Sequence, residues 1–581
     1  MSIDIETYRL KAQEAIEYVF VKEYHNSLGI PMPIVKMLLP DDANYSTGQY
    51  YITIDKTWQI HLNFGKLPIS YHEFQNEVKV LTRHEIEHYM CCPFDVITHF
   101  RMLKRIRDVY YKHFSHLGIN IKYACGAISN QAADIIVDTK NYYRHSKETL
   151  KSEIDWIKIG ANISACPRHC KLMFLTKEAI WKEDLGINET DPEFLKIVHQ
   201  LADSFTKNGI EDKSSFLDKV EEYAEIFFKL YVEDQKNPQQ SSQQGSQQQS
   251  GQQGPQQQSG QQGSQQQSGQ QGSQQQSGQW GVGRPKDGDE HGNAFVFADP
   301  DKVKEAIEVL AEETSVEEFI DLLAIAGIIG MSDKQKGVLW FNVQSANIIP
   351  IVEFSNTGNK SSYTYPSVWR IGDPIEELDL MLTYMTSPRL IPGMTTKKWG
   401  YVSNDDNGTE SKQMDLLLVV DTSGSMGSAM KESANMHQAV LASYGILSYF
   451  ESTKSKVAFI GFSDKIDAYV DWSDKYDDVR ERLLTNGHGG TKFPISRIKS
   501  TLDVRSRDLV TVLITNGDLG NINESVSYFR DYLNDDNKLY IFLLGGSKSL
   551  HSYEPLKNIG AKIYNANNAN EFCDMVLTDM E

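Results

Sequence analysis

Residues 243–278 repeat a nine-residue unit, QQGSQQQSG, four times, with Pro255 replacing the serine in the second copy. Such a tract offers almost no apolar surface to bury, so nothing offsets the entropy of ordering it, and it is expected to stay disordered. The 581 residues therefore cannot share one core, and the parts on either side must each fold on their own. Over residues 237–279 the tract reads as a flexible tether with a root-mean-square reach of roughly 35 Å. The expected organisation is an N-terminal domain at 1–236, a low-complexity Gln-rich linker at 237–295, an intermediate α/β region without assigned chemistry at 296–410, and a C-terminal domain at 411–581.

Charge narrows the function classes. Lys and Arg number 58 against 78 Asp and Glu, a formal net charge of −20, which opposes phosphate backbones and anionic membranes; no nucleic-acid partner and no membrane role are expected. The first residues, MSIDIETYRLKAQEAIEYVF, carry acids early and lack the basic start and apolar core of a signal peptide. The richest apolar run, LLAIAGIIGM at 322–331, is too short to span a bilayer. Six cysteines, at 91, 92, 125, 166, 170 and 573, are too sparse for a secreted disulfide framework. A soluble, cytoplasmic protein is expected.

The first part reads as mostly helical α+β. Amphipathic helical spacing covers 7–23, 74–90, 99–114 and 127–143, and the alternation in YYITIDKTWQIHLNF (50–64) predicts a pair of strands or one bent ribbon. From about residue 415 the rhythm changes to strand and helix in turn: DLLLVVD, a helix at 429–450, KVAFIGFS, LVTVLIT, a helix near 524–533, KLYIFLLGG, AKIYNA and a final helix. β-branched apolar runs separated by helices imply a parallel sheet buried on both faces, a doubly wound α/β domain. Between tether and sheet lie two acidic helices, 303–313 and 316–325.

The sharpest motif is His84-Glu85-Ile86-Glu87-His88, H-E-x-x-H within a helical pattern. Histidines four apart share one helix face, so both imidazoles can reach one Zn²⁺ at about 2.0–2.1 Å while Glu85 stands beside it. Downstream, Asn130, Asp134 and Asp138 recur at four-residue steps on an otherwise apolar helix, where unpartnered acids are costly. This stretch resembles the second helix of the glutamate zincins, which carries a ligand Glu followed four residues later by a carboxylate. The resemblance implies Asp134 as third ligand with Asp138 supporting it, or, in the other register, Asn130 as ligand with Asp134 supporting it. Asparagine is a poor zinc ligand, which favours the first. The implied chemistry is peptide or amide hydrolysis, with zinc acidifying a water and Glu85 taking its proton. Tyr89, Tyr142, Tyr143 and His145 are nearby candidates for stabilising an oxyanion, each better explained as structural. Cys166-Pro-Arg-His169-Cys170 is half of a zinc clip without a second half, and Cys91-Cys92 cannot both face a metal.

In the second part, Asp421-Thr-Ser423-Gly-Ser425 follows the first strand at the carboxyl edge of the sheet, where such folds bind ligands. Together with the strand and helix order, this D-x-S-x-S sequence resembles the von Willebrand factor A domain over about 412–581. The resemblance implies a Mg²⁺ site made by Asp421, Ser423, Ser425 and Thr491 of the GGTKF turn and completed by a partner's carboxylate. Where that family carries Asp in a T-D-G turn, this chain reads Thr515-Asn516-Gly517-Asp518, so Asn516 removes a charge that Asp518 would have to replace.

A zincin-like domain joined to a von Willebrand A domain resembles the metallopeptidase-like proteins encoded beside MoxR-type AAA+ ATPases. The likeness covers roughly 60–145 and 365–581, including WRIGDP and LIPGMTT within 369–396. No G-x-x-x-x-G-K-[ST] phosphate loop is present, so ATP hydrolysis is not expected of this chain. Two functions follow from the resemblance: a cytoplasmic zinc peptidase whose A domain recruits a partner or client, or a non-enzymatic adaptor for a MoxR-type AAA+ ATPase with a structural or vestigial zinc.

Overall fold

A computed structural model describes residues 5–42, 50–54, 59–64, 70–159, 163–236, 300–328, 331–346, 367–368, 378–379, 397–398, 414–505, 508–517, 519–535, 537–545 and 550–566. The repeat tract, the 369–396 motifs, Asp518, Cys573 and the expected last helix lie outside them. The chain divides into two compact units, Met1–Leu310 with Asp321–Ile329, and Ala311–Ile320 with Gly330–Glu581. Among the described residues no helix is long and apolar enough to cross a membrane.

The N-terminal unit is mostly helical. α1 (Ile5–Glu17) runs into a π-helical turn at Tyr18–Glu23 and is followed by β1 (Ile34–Met37), β2 (Tyr50–Ile54) and β3 (Gln59–Phe64). These form a three-stranded sheet ordered β1-β3-β2, with β1 parallel and β2 antiparallel to the central strand. Then come α2 (Tyr71–Met90), α3 (Val96–Val109), α4 (Ile121–Ile159), α5 (Arg168–Trp181), α6 (Pro192–Thr206) and α7 (Phe216–Lys236). α2 starts where the Ser70 hydroxyl accepts the Glu73 amide, the usual satisfaction of an orphan donor at a helix start. Its residues Phe74, Val78 and Ile86 pack with Ala12, Ile16, Ile60 and Leu62 into one apolar cluster. α4 is helical on both sides of His145, whose φ of −135° and ψ of 47° interrupt it.

In the C-terminal unit, Trp340 and Phe341 of α10 (Asp333–Ala346) pack against His437 of α11 (Asn435–Ser452), with ring centroids 5.3 and 5.2 Å apart. Two acidic helices precede them in the chain, α8 (Pro300–Glu313) and α9 (Val316–Ile325). Short pairings also join Ser367–Val368 and Leu378–Asp379 to Lys397–Lys398. The main sheet has six strands: β4 (Asp415–Asp421), β5 (Val457–Phe462), β6 (Ile466–Ser473), β7 (Leu509–Thr515), β8 (Lys538–Leu544) and β9 (Lys562–Ala566). Their order is β9-β8-β7-β4-β5-β6. Every pairing is parallel except that of the edge strand β6 with β5. The expected all-parallel sheet is therefore corrected at one edge: only Lys465 and its flanks separate β5 from β6, far too short for a parallel crossover. β4, β5 and β7 are buried at every position, as a sheet covered on both faces requires. One face holds Leu417, Val419, Ile460, Leu513 and Ile541 against Ile498, Phe529 and Tyr553. The order reverses between β4 and β7, and in open α/β sheets the carboxyl ends of the strands at such a reversal are where ligands commonly bind.

Candidate metal centre and strand-end site

The two histidines of α2 and one aspartate of α4 converge. His84 Nε2 and His88 Nε2 are 3.1 Å apart, and Asp134 Oδ1 lies 3.5 Å from the first and 3.2 Å from the second. A tetrahedral ion with ligands at about 2.0–2.1 Å has edges of about 3.3–3.4 Å, so the three sides of this triangle match one face of such a tetrahedron. All three residues are buried, and they form the one group of His, Cys, Asp or Glu among the described residues able to hold a metal ion.

Hydrogen bonds behind the ligands fix which atoms face inward. His88 Nδ1 meets the Cys92 carbonyl at 2.8 Å, and His84 Nδ1 meets Asp138 Oδ1 at 2.6 Å. A carbonyl and a carboxylate only accept, so both Nδ1 atoms carry protons and both Nε2 atoms present lone pairs. Asn130 donates to the other ligand oxygen, Asp134 Oδ2, at 3.0 Å, while the buried Asp134 Oδ1 has no hydrogen-bond donor. Three acceptors thus point at one spot with no donor between them, an arrangement that requires a cation or a proton. In the metal-free protein His84 supplies the proton: burial lowers its pKa, but Asp138, Asp134 and Glu85 outweigh burial and push it up to about 9.

Asp138 is itself held. Its Oδ2 accepts from Lys177 Nζ of α5 at 2.5 Å, and the same ammonium reaches Glu153 Oε1 at 3.0 Å. Burial raises the Asp138 carboxyl, yet Lys177 and His84 hold it well below the usual carboxylate range. On α3, His99 is brought down to about 4 by burial and the nearby His88, which keeps it neutral. Glu85 is 3 % exposed.

Of the sequence-predicted residues, the structure brings together His84, His88, Asp134 and Asp138, places Asn130 as a donor to Asp134, and buries Glu85 next to His84 in α2. Tyr142 stacks on Trp181 at 4.7 Å and bonds Glu183, Tyr143 is exposed, and His145 lies 3.9 Å from Glu23. Cys91 and Cys92 are buried thiols, and His169 Nδ1 is bound by Asp234 at 2.9 Å. Lys177 and Glu153 escaped the sequence reading. A signal existed, because Phe174, Lys177 and Trp181 form one helical stripe and a lysine on an apolar stripe calls for a buried counter-ion.

At the carboxyl ends of β4 and β7, Asp421 Oδ1 accepts the Ser423 amide at 2.9 Å and Oδ2 accepts the Thr515 hydroxyl at 2.6 Å. The Ser423 and Ser425 hydroxyls are 3.1 Å apart. Asn516 takes the Ser425 hydroxyl on Oδ1 at 3.0 Å and returns Nδ2 to the Ser425 carbonyl at 2.8 Å. The Gly489 carbonyl accepts the Gly424 amide at 3.3 Å, which draws the turn carrying Thr491 alongside. Gly489 has φ +115°, and a Cβ there would lie 3.1 Å from the Asp464 carboxylate, so glycine alone suits the turn.

No protein-family model matches the chain, and no curated protein matches it either.

Proposed function

We propose that the N-terminal unit is a zinc-dependent peptidase and that the C-terminal unit is a von Willebrand A-like module that recruits a protein. The supporting observation is the convergence of three acceptors 3.1–3.5 Å apart on one point. Structural zinc sites fill four positions from the protein, whereas three ligands leave a position for a reacting group. Two imidazoles and a carboxylate suit zinc among the abundant divalent ions. His84, His88 and Asp134 would hold it; bound there, zinc supplies Lewis acidity to a carbonyl and makes a water easier to deprotonate.

The chain's own residues do the rest. Glu85, buried beside His84, accepts the water proton on its carboxylate and returns it to the leaving amine, while Asp138 and the Cys92 carbonyl keep both imidazoles in the Nδ1–H form. In the C-terminal unit, Asp421, Ser423, Ser425 and Thr491 would hold Mg²⁺ at the carboxyl end of β4, and an acidic side chain of the partner completes the shell. The proposed partner is a MoxR-type AAA+ ATPase or its client.

The test is Glu85→Gln beside wild type, with zinc counted per chain and hydrolysis of fluorescein-labelled casein followed. Zinc should be retained and turnover should fall on the order of 10²–10⁴-fold. Equal cleavage by both proteins would sink the peptidase, and zinc-loaded wild type that cleaves nothing across a broad peptide library would favour the adaptor.

A further inference from the structure

We infer that Lys177 is a positioning residue of the N-terminal metal centre, clamping the Asp138 carboxylate against His84 and so aiming His84 Nε2 at the ion. The inference rests on the metal-site reading above and adds a residue that takes no part in ligation. A carboxylate has a broad, two-fold terminal torsion, so a single bond to His84 Nδ1 would leave Asp138 free to turn. Here it cannot. Oδ1 faces the imidazole at 2.6 Å and Oδ2 faces the ammonium at 2.5 Å, so its two oxygens are spoken for by two different helices. The ammonium in turn is pinned by Glu153 at 3.0 Å. The Lys177 side chain is 2 % exposed, so water does not stand in for any of these partners. α2, α4 and α5 are thereby joined in one line: ligand, supporting carboxylate, ammonium, second carboxylate.

A buried ion pair also cements helices, and removing one partner leaves the other charged and unpaired. Cement and clamp differ in what they move. If Lys177 only joins α4 to α5, its loss lowers the melting temperature and leaves metal affinity alone; if it clamps, affinity falls through Asp138.

The variant that keeps the net charge of the cluster is K177M/E153Q, which removes one positive and one negative group together and leaves Asp138 its bond with His84. Zinc affinity is measured on the full chain by chelator competition, alongside the visible spectrum of the Co²⁺-loaded protein and the melting temperature. Changes behind a ligand typically cost 10–100-fold in metal affinity, and at least about tenfold is expected for K177M/E153Q, with a changed Co²⁺ spectrum. D138N should lose as much or more. Combining all three substitutions should be no weaker than D138N within about threefold, because the effects share one path. Wild-type affinity in K177M/E153Q, or a triple variant that loses the product of the separate effects, would overturn the inference while leaving the metal site standing. Wild type that binds neither Zn²⁺ nor Co²⁺ would overturn both. If K177M/E153Q does not fold, K177Q carries the same test with the same threshold.

Discussion

The two candidate sites of this chain are built on opposite principles. At the N-terminal centre, helix packing forces three acceptors together, and the hydrogen bonds behind them leave no donor to fill the gap. At the end of β4 and β7 the polar atoms already satisfy one another: both oxygens of Asp421 accept protein donors, and Ser425 is clipped by Asn516. The first site is completed only by a cation or a proton, whereas the polar atoms of the second already meet their own hydrogen-bonding needs. Metal should therefore stay with the histidine centre through purification, while the strand-end site should take Mg²⁺ weakly and hold it when a partner's carboxylate arrives.

The largest break in this contrast comes from Asp134→Ala. It deletes a ligand outright, so the loss of zinc should exceed the 10–100-fold typical of changes behind a ligand. Asp421→Ala should leave zinc per chain unchanged. Elemental analysis of both variants beside wild type decides it, and zinc lost from Asp421→Ala would show that the two sites are not independent.

Proton competition separates the sites next. Burial opposes the raised pKa of His84, but Asp138, Asp134 and Glu85 prevail and place it at about 9 against the ordinary 6.5. A pKa raised on folding stabilises the metal-free protein fully below about 6.5 and ceases to do so as pH rises through about 9. Zinc must displace that proton, so its apparent affinity should fall about tenfold per pH unit below pH 9. The strand-end ligands include no histidine, and Mg²⁺ affinity should change less than about twofold over the same range. Chelator competition at several pH values reads both slopes.

How much of this was legible in the sequence follows from the range of each interaction. Both histidines share a helix face because they are four apart, and that needs nothing beyond the chain's local period. β4, β5, β7 and β8 were legible as apolar runs because a buried sheet needs no alternation, and the other edge strand, β9, was read from the short AKIYNA. β6 was not: its IDAYVDWS is half-exposed and charged, as an edge strand is. The third ligand could not be settled by spacing, since Asn130, Asp134 and Asp138 all lie on one face; which of them meets α2 is decided by the height at which α4 crosses it. Lys177 reaches Asp138 from 39 residues away, and no local pattern encodes that pairing.

Thr515→Val tests how much the strand-end site depends on its internal bonds. The hydroxyl donates to Asp421 Oδ2 at 2.6 Å and accepts the Gly517 amide at 3.2 Å. Valine keeps the shape and leaves a buried carboxylate oxygen short of a donor, which should cost about 1.5–3 kcal/mol of stability. Thermal unfolding checks this, and an unchanged melting temperature would mean that another donor takes over.

Asn516→Asp asks for the smallest effect and the most specific one. A carboxylate about 5 Å from a divalent ion in a water-like medium gains about 1.7 kcal/mol of attraction, worth somewhat more than tenfold in affinity. Part of this is lost, because aspartate cannot return the Nδ2 bond to the Ser425 carbonyl and instead sets an oxygen near that carbonyl. A net tightening of about three- to tenfold for Mg²⁺ is expected without any partner, and salt should reduce it because Ser425 is exposed. Calorimetric titration with Mg²⁺ at two ionic strengths measures it. Tightening of that size would identify charge as what the strand-end site lacks; no change would place the weakness in its hydroxyls, which are already engaged with one another.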